Sequence, residues 1–229
     1  MTPEQPSAPL APPTTSKLWE LTGIREVPRL AANSWRLKQL PRGSANVIAF
    51  PGYSTNDAAT QPLRSLLNSL GHTAVGWGFG VNMAQVEAML STATAMVENR
   101  VNRAGKPATL IGWSNGGVYA REIARDRPDL VSQVITYGTP IVGGPKFTRG
   151  AKFYQAEEID RIERVVMHRN TKAIGCPITA FYSRRDHIVD WRACIDTFSP
   201  NVENIEVRST HVSMGIDPDV LAEIARRLA

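Results

Sequence analysis

Three side chains have the types and the chain order that nucleophilic catalysis needs: Ser114, Asp186 and His211. Ser114 lies in Gly112-Trp113-Ser114-Asn115-Gly116, with Gly117 following. In a G-x-S-x-G pattern, small residues two before and two after the serine let the flanking backbones approach closely, and a sharp strand-to-helix turn lifts the hydroxyl clear. A serine hydroxyl is a weak nucleophile without a base, and the chain offers His72, His168, His187 and His211. His72 precedes the serine and reads as a surface turn residue. His168 ends a charged helical stretch and reads as solvated or capping. His187 directly follows Asp186. His211, in Ser209-Thr210-His211 between a short strand and the last helix, fits the order serine, acid, histidine.

The acid belongs on a loop after a strand, between Ser114 and His211. Asp186 lies closer to the end of Phe181-Tyr182-Ser183 than Asp190 does and is the preferred residue. Its role would be to accept the imidazole N–H, fix the tautomer and stabilise the imidazolium; an ion pair with Arg184 or Arg185 is compatible with that role. Charge developing on a substrate oxygen needs backbone N–H donors. Asn115 supplies one. Tyr53 of Pro51-Gly52-Tyr53 supplies the other, since Pro51 has no N–H. A helix starting at Asn115 adds its positive end to the same spot.

The elements that must position these groups are legible from residue 46 onward. Short apolar runs at 47–50, 73–77, 109–113, 131–137, 178–182 and 205–207 read as strands. They alternate with helical patterns at 58–70, 83–104, 115–127 and 217–228, and a short helix is expected at 190–198. Strand–helix alternation predicts βαβ units and a parallel sheet, and continuous apolar strands predict that both sheet faces are covered. Residues 141–175 interrupt the alternation with one charged helical stretch at 156–168, as a small cap over a pocket would. Residues 17–43 carry apolar side chains in no single period and read as one or two short helices packed on the main domain. The Pro-rich residues 1–16 read as a disordered tail. The domain is therefore expected to span 17–229.

The bulk numbers exclude more than they identify. The 229 residues are 42% hydrophobic and 21% charged, as in an ordinary globular domain. The formal charge of +5 is scattered, and pairs such as Arg184-Arg185 and Arg226-Arg227 are too short for a nucleic-acid arm. No run reaches the length of a membrane span, and the first residues lack the apolar core of a secretion signal, so a cytoplasmic location is expected. Cys176 and Cys194 are too few for a disulfide framework; they read as buried free thiols, with a single bridge between them as the alternative. No cluster has zinc-ligand spacing. Gly76-Trp77-Gly78-Phe79-Gly80 misses the dinucleotide-binding spacing and reads as a tight turn beside the pocket. Trp77, Phe79 and Trp113 are the aromatic candidates for lining a substrate pocket, with packing into the core as their other role; Trp191 reads as packing. Nothing in the chain points to a particular oligomeric state.

With these residues in place, the chain resembles lipase/esterase-type members of the α/β-hydrolase superfamily. The resemblance rests on Phe50-Pro51-Gly52-Tyr53, Gly112 to Gly117, Thr136-Tyr137-Gly138-Thr139-Pro140, Tyr182 to Val189 and Thr210-His211. It implies an α/β-hydrolase fold with a mostly parallel sheet of about six strands, flanked by helices. It implies hydrolysis of a small-molecule or lipid ester through an acyl-enzyme, with no metal and no cofactor. Thioesterase, amidase or acyltransferase chemistry, or a non-catalytic binding role, would use the same scaffold. The chain departs from the pattern in carrying Pro51-Gly52 where His-Gly is frequent and His187 where glycine often follows the acid. The first two strands usual in the fold are not evident in residues 17–43.

Overall fold

The computed structural model describes residues 10–229. A one-turn-per-three-residue helix over Lys17–Arg25 runs into α1 (Glu26–Leu37), so residues 17–37 are helical as expected. The regular part follows: β1 (Asn46–Phe50), α2 (Gln61–Ser69), β2 (Thr73–Gly76), α3 (Val86–Ala104), β3 (Ala108–Trp113), α4 (Asn115–Asp126), β4 (Val131–Tyr137), α5 (Ala156–Asn170), β5 (Ile178–Tyr182), β6 (Val202–Glu206) and α6 (Pro218–Arg226). The six strands form one sheet in the order β2-β1-β3-β4-β5-β6, and every pairing is parallel. No strand among the described residues precedes β1.

Alternation along each strand sends neighbouring apolar residues to opposite faces. Val47, Ile111 and Ile135 pack with Leu63, Leu67, Val220 and Ile224, beneath α1, α2 and α6. Ile48, Leu110 and Val134 pack with Val97, Tyr119 and Ile123, beneath α3 and α4. Each such aliphatic side chain contributes about 1.5–3 kcal/mol by leaving water. The sheet is therefore buried on both sides, which is why its central strands read as unbroken apolar runs. From β1 the chain turns outward to β2, then crosses back so that β3 lies on the other side of β1. The strand order reverses there, and the connections after β1 and β3 leave in opposite directions, opening a crevice at the strands' carboxyl ends.

Some boundaries differ from expectation for local reasons. The expected helix at 58–70 begins as a tighter turn over Asp57–Thr60, capped by Asn56, before α2 starts at Gln61 with Pro62 in its first turn. The helix expected from 83 starts at Val86, because Ala84 takes a positive φ of 58°. The helix expected at 190–198 is a short turn over Trp191–Cys194. The last strand is Val202–Glu206 rather than 205–207; it is a half-exposed edge, so its polar residues hide it from an apolar scan. His72, expected at the surface, is buried, and its Nδ1 accepts from the Ala45 N–H at 3.1 Å. Of the Pro-rich stretch, residues 1–9 lie outside the described residues; Leu10 packs near Tyr182 and Trp191, and the Ala11 N–H donates to Asp190.

Helix α4 is pinned from below by two buried arginines. Arg121 pairs with Asp196 at 2.5 Å, with both side chains at or below 3% exposure. Arg125 donates to the Lys172 carbonyl and to Asn170 Oδ1, and Asn170 Nδ2 donates to the Ile141 carbonyl. Removing one member of a buried pair strands the other charge, at a cost of about 3–5 kcal/mol. Asp196→Ala should therefore lower the urea-unfolding free energy by about that amount, whereas Arg121→Met combined with Asp196→Leu should recover much of it.

Candidate active site

The site is assembled at the carboxyl ends of β1, β3, β4 and β5 and in the loop after β6. Ser114 is the residue between β3 and α4, with φ 51° and ψ −124°. Such a conformation costs on the order of 1–3 kcal/mol and persists only where its surroundings dictate it. Two close approaches dictate it here. A Cβ on Gly112 would collide with the backbone of Gly117, and one on Gly116 would collide with the Phe50 carbonyl. The Ser114 N–H donates to the Tyr137 carbonyl at 2.9 Å, which registers the turn on β4. The serine itself is half-buried.

The loop after β1 passes directly over this turn. A Cβ on Gly52 would lie 3.0 Å from the Trp113 ring and 3.4 Å from Ser114 Cβ. The loop is braced by Asn82, which is fully buried: its Nδ2 donates to the Pro51 carbonyl at 2.8 Å, and its main-chain carbonyl accepts from the Ser54 N–H at 2.7 Å. Asn82 has no signature in the sequence, because a lone asparagine after a glycine-rich turn carries no motif. Tyr53 is exposed, and Asn115 opens α4 with its Oδ1 buried and unpartnered among the described residues.

Asp186 and His211 meet. His211 Nδ1 lies 2.7 Å from Asp186 Oδ2, with side chains 4% and 0% exposed. Asp186 Oδ1 accepts from the N–H groups of Ile188 and Val189 at 2.8 and 2.7 Å, so both carboxylate oxygens are held. Asp190, the alternative acid, is occupied by Arg192 and by the Ala11 N–H. Gly138, just past β4, adopts φ 61°, and a Cβ there would sit 2.9 Å from His211 Nδ1. Only a bare backbone leaves room for the pair. Trp113 links the pair to the serine turn, because its Nε1–H donates to the His211 carbonyl at 3.2 Å and its ring lies 5.8 Å from the imidazole.

The other expected residues sort by burial. Trp77 is a core side chain, edge-on to Phe79 and Tyr119, with its Nε1–H donated to the Gly80 carbonyl. Phe79 is half-buried beside it. These two therefore pack beneath α3 and α4, while Trp113 faces His211. His168 is exposed at the end of α5, and His187 contacts Thr15 and the Trp19 ring.

Burial pushes the His211 imidazole down, but the adjacent Asp186 carboxylate, its hydrogen bond and the more distant Glu20 outweigh burial, and the net shift is upward. The pairing therefore favours the imidazolium. Its contribution to stability is complete below the unfolded histidine value and fades as pH rises through the higher folded one. In an NMR titration, His211 should lose its proton above the ordinary histidine range, and Asp186→Asn should bring that midpoint down.

No protein-family model and no curated protein sequence matches the chain. Solved structures do. One from the work on LipS and LipT, two metagenome-derived lipolytic enzymes, aligns over 82% of this chain and 93% of its own, at 16% identity and TM-score 0.59. A monoacylglycerol lipase from Paleococcus ferrophilus aligns over 81% and 94%, at 16% identity and 0.59. An N-formylmaleamic acid deformylase from Pseudomonas putida S16 aligns over 81% and 93%, at 13% identity and 0.58. At such identities the likeness speaks for the architecture alone, and it agrees with the parallel sheet and its flanking helices: the chain has the α/β-hydrolase fold.

Proposed function

We propose that the protein is a serine hydrolase that cleaves carboxylic esters through an acyl-enzyme on Ser114. The observation that carries this reading is the buried Asp186–His211 pair at 2.7 Å, tied through Trp113 to a serine held at positive φ. In this reading His211 takes the Ser114 proton as Oγ attacks the substrate carbonyl. The Tyr53 and Asn115 N–H groups hold the resulting oxyanion, at the positive end of α4. The imidazolium, stabilised by Asp186, then gives its proton to the departing alkoxide. Water, activated by the same imidazole, releases the acid and restores Ser114. Every step is proton transfer and acyl transfer, for which these side chains suffice.

Residues 141–175 serve as a cap in this scheme. Thr148 bridges to Val189 beside the acid loop. Burial, with Tyr53 and Glu158 as neighbours, raises the Tyr154 hydroxyl pKa. Arg161 in α5 pairs with Glu87 in α3 at 2.7 Å. The segment thus reaches from the loop that carries Asp186 to α3 on the opposite flank, as a cap over the site would.

The test is turnover of a short-chain nitrophenyl ester together with covalent labelling by a fluorophosphonate probe. Wild type should turn over the ester and be labelled at Ser114, and Ser114→Ala should lose at least about a thousandfold in kcat and all labelling. Equal rates in the two proteins would overturn the assignment. Thioester and amide probes run in parallel would reveal a thioesterase or amidase preference, and a folded wild type that resists the probe would point to a binding protein.

A further inference from the structure

Glu20 belongs to none of the motifs, yet it touches both loops that carry the acid–base pair. Its Oε1 accepts from the His187 N–H at 2.9 Å and from the His211 N–H at 3.3 Å, and its Oε2 accepts from the Val212 N–H at 2.9 Å. His187 directly follows Asp186. One carboxylate therefore bridges the main chain next to the acid and the main chain of the base, with both oxygens engaged in charge-assisted hydrogen bonds.

The segment that carries Glu20 is held at this place chiefly by polar contacts and a close approach. Leu18, Leu21 and Ile24 of the same segment are 65%, 67% and 73% exposed, so apolar burial of those side chains does not hold it. Gly23 lies against Thr210 and Ser213, where a Cβ would come within 2.7 Å of both side chains. Trp19 leans on the His187 ring, and Arg29 in α1 pairs with Asp217 at 3.2 Å.

We infer that Glu20 is a positioning residue for the Asp186–His211 pair, clamping the two loops so that carboxylate and imidazole meet in the register that Ser114 needs. The inference rests on the serine-hydrolase reading above. Supporting shells of this kind matter because a displacement of about 1 Å at a reacting group can cost on the order of a hundredfold in rate. The negative charge of Glu20 also adds to that of Asp186 in favouring the imidazolium. The other charges near this junction are Arg25, Glu26, Arg185 and Arg208, which line a small cavity beside it, and His187 on the acid loop.

The experiment compares wild type, Glu20→Ala and Glu20→Gln for the pH dependence of fluorophosphonate labelling at Ser114, for kcat and KM on a nitrophenyl ester, and for the urea midpoint. Glu20→Ala should slow labelling and lower kcat by roughly tenfold to a hundredfold with KM little changed. Glu20→Gln keeps an acceptor oxygen without the charge. It should recover part of the rate and move the acid limb of the profile to lower pH. It also answers the question if the alanine variant fails to fold. Folded variants with the wild-type labelling rate and pH profile, or a loss confined to the urea midpoint, would overturn the role of Glu20. Absence of labelling in wild type would instead overturn the triad reading beneath it.

Discussion

Strand β3 and helix α4 run nearly in contact beneath Ser114, and the geometry of the site depends on that contact. With Gly112 against Gly117, and Gly116 against the end of β1, the backbone has no room for a wider turn. Ser114 is thereby forced to positive φ and its side chain stands off the strand axis. The same closeness brings the loop after β1 over the serine, because β1 and β3 are neighbours at the point where strand order reverses. A wider turn would displace Ser114 and the adjoining N–H groups of Asn115 and the loop after β1 together.

Around this turn the remaining groups are held by short, specific ties rather than by bulk packing. Trp113 reaches from the turn to the His211 carbonyl, Gly138 leaves space for the imidazole, and Asn82 fixes the loop above. Below, the buried arginines of α4 hold the segments at 170–172 and at 196. The helix that begins at the serine is thus anchored at both ends, by glycine contacts at its start and by charge-assisted bonds farther along.

Much of this architecture is legible in the amino-acid sequence. The sheet was legible because central parallel strands are buried on both faces and must be apolar throughout; β6 was blurred because an edge strand tolerates Glu203 and Glu206. Ser114, Asp186 and His211 stand out as candidates because the proposed roles demand particular residue types in a particular order along strand ends, and the 2.7 Å contact brings Asp186 and His211 together. Glu20, Asn82 and Gly138 act through backbone groups of other residues or through absent volume. Such roles leave no residue-type signature, since what they require is a place in space rather than a pattern in the chain. Trp77 shows the converse: a glycine-flanked tryptophan looks like a pocket residue until its ring is seen against Tyr119.

The clasp by Glu20 joins residues 167 and 191 positions apart. During synthesis, residue 20 leaves the ribosome long before its hydrogen-bond donors exist, so it must wait while the sheet is laid down from β1 to β6. A contact of such long range carries a large loop-closure cost and forms after the local ones. The Asp186 and His211 loops can therefore acquire these bonds only once residue 212 has been made. Leu18, Leu21 and Ile24 gain little cover from this docking, so the late contact is made by hydrogen bonds rather than by apolar burial of these side chains.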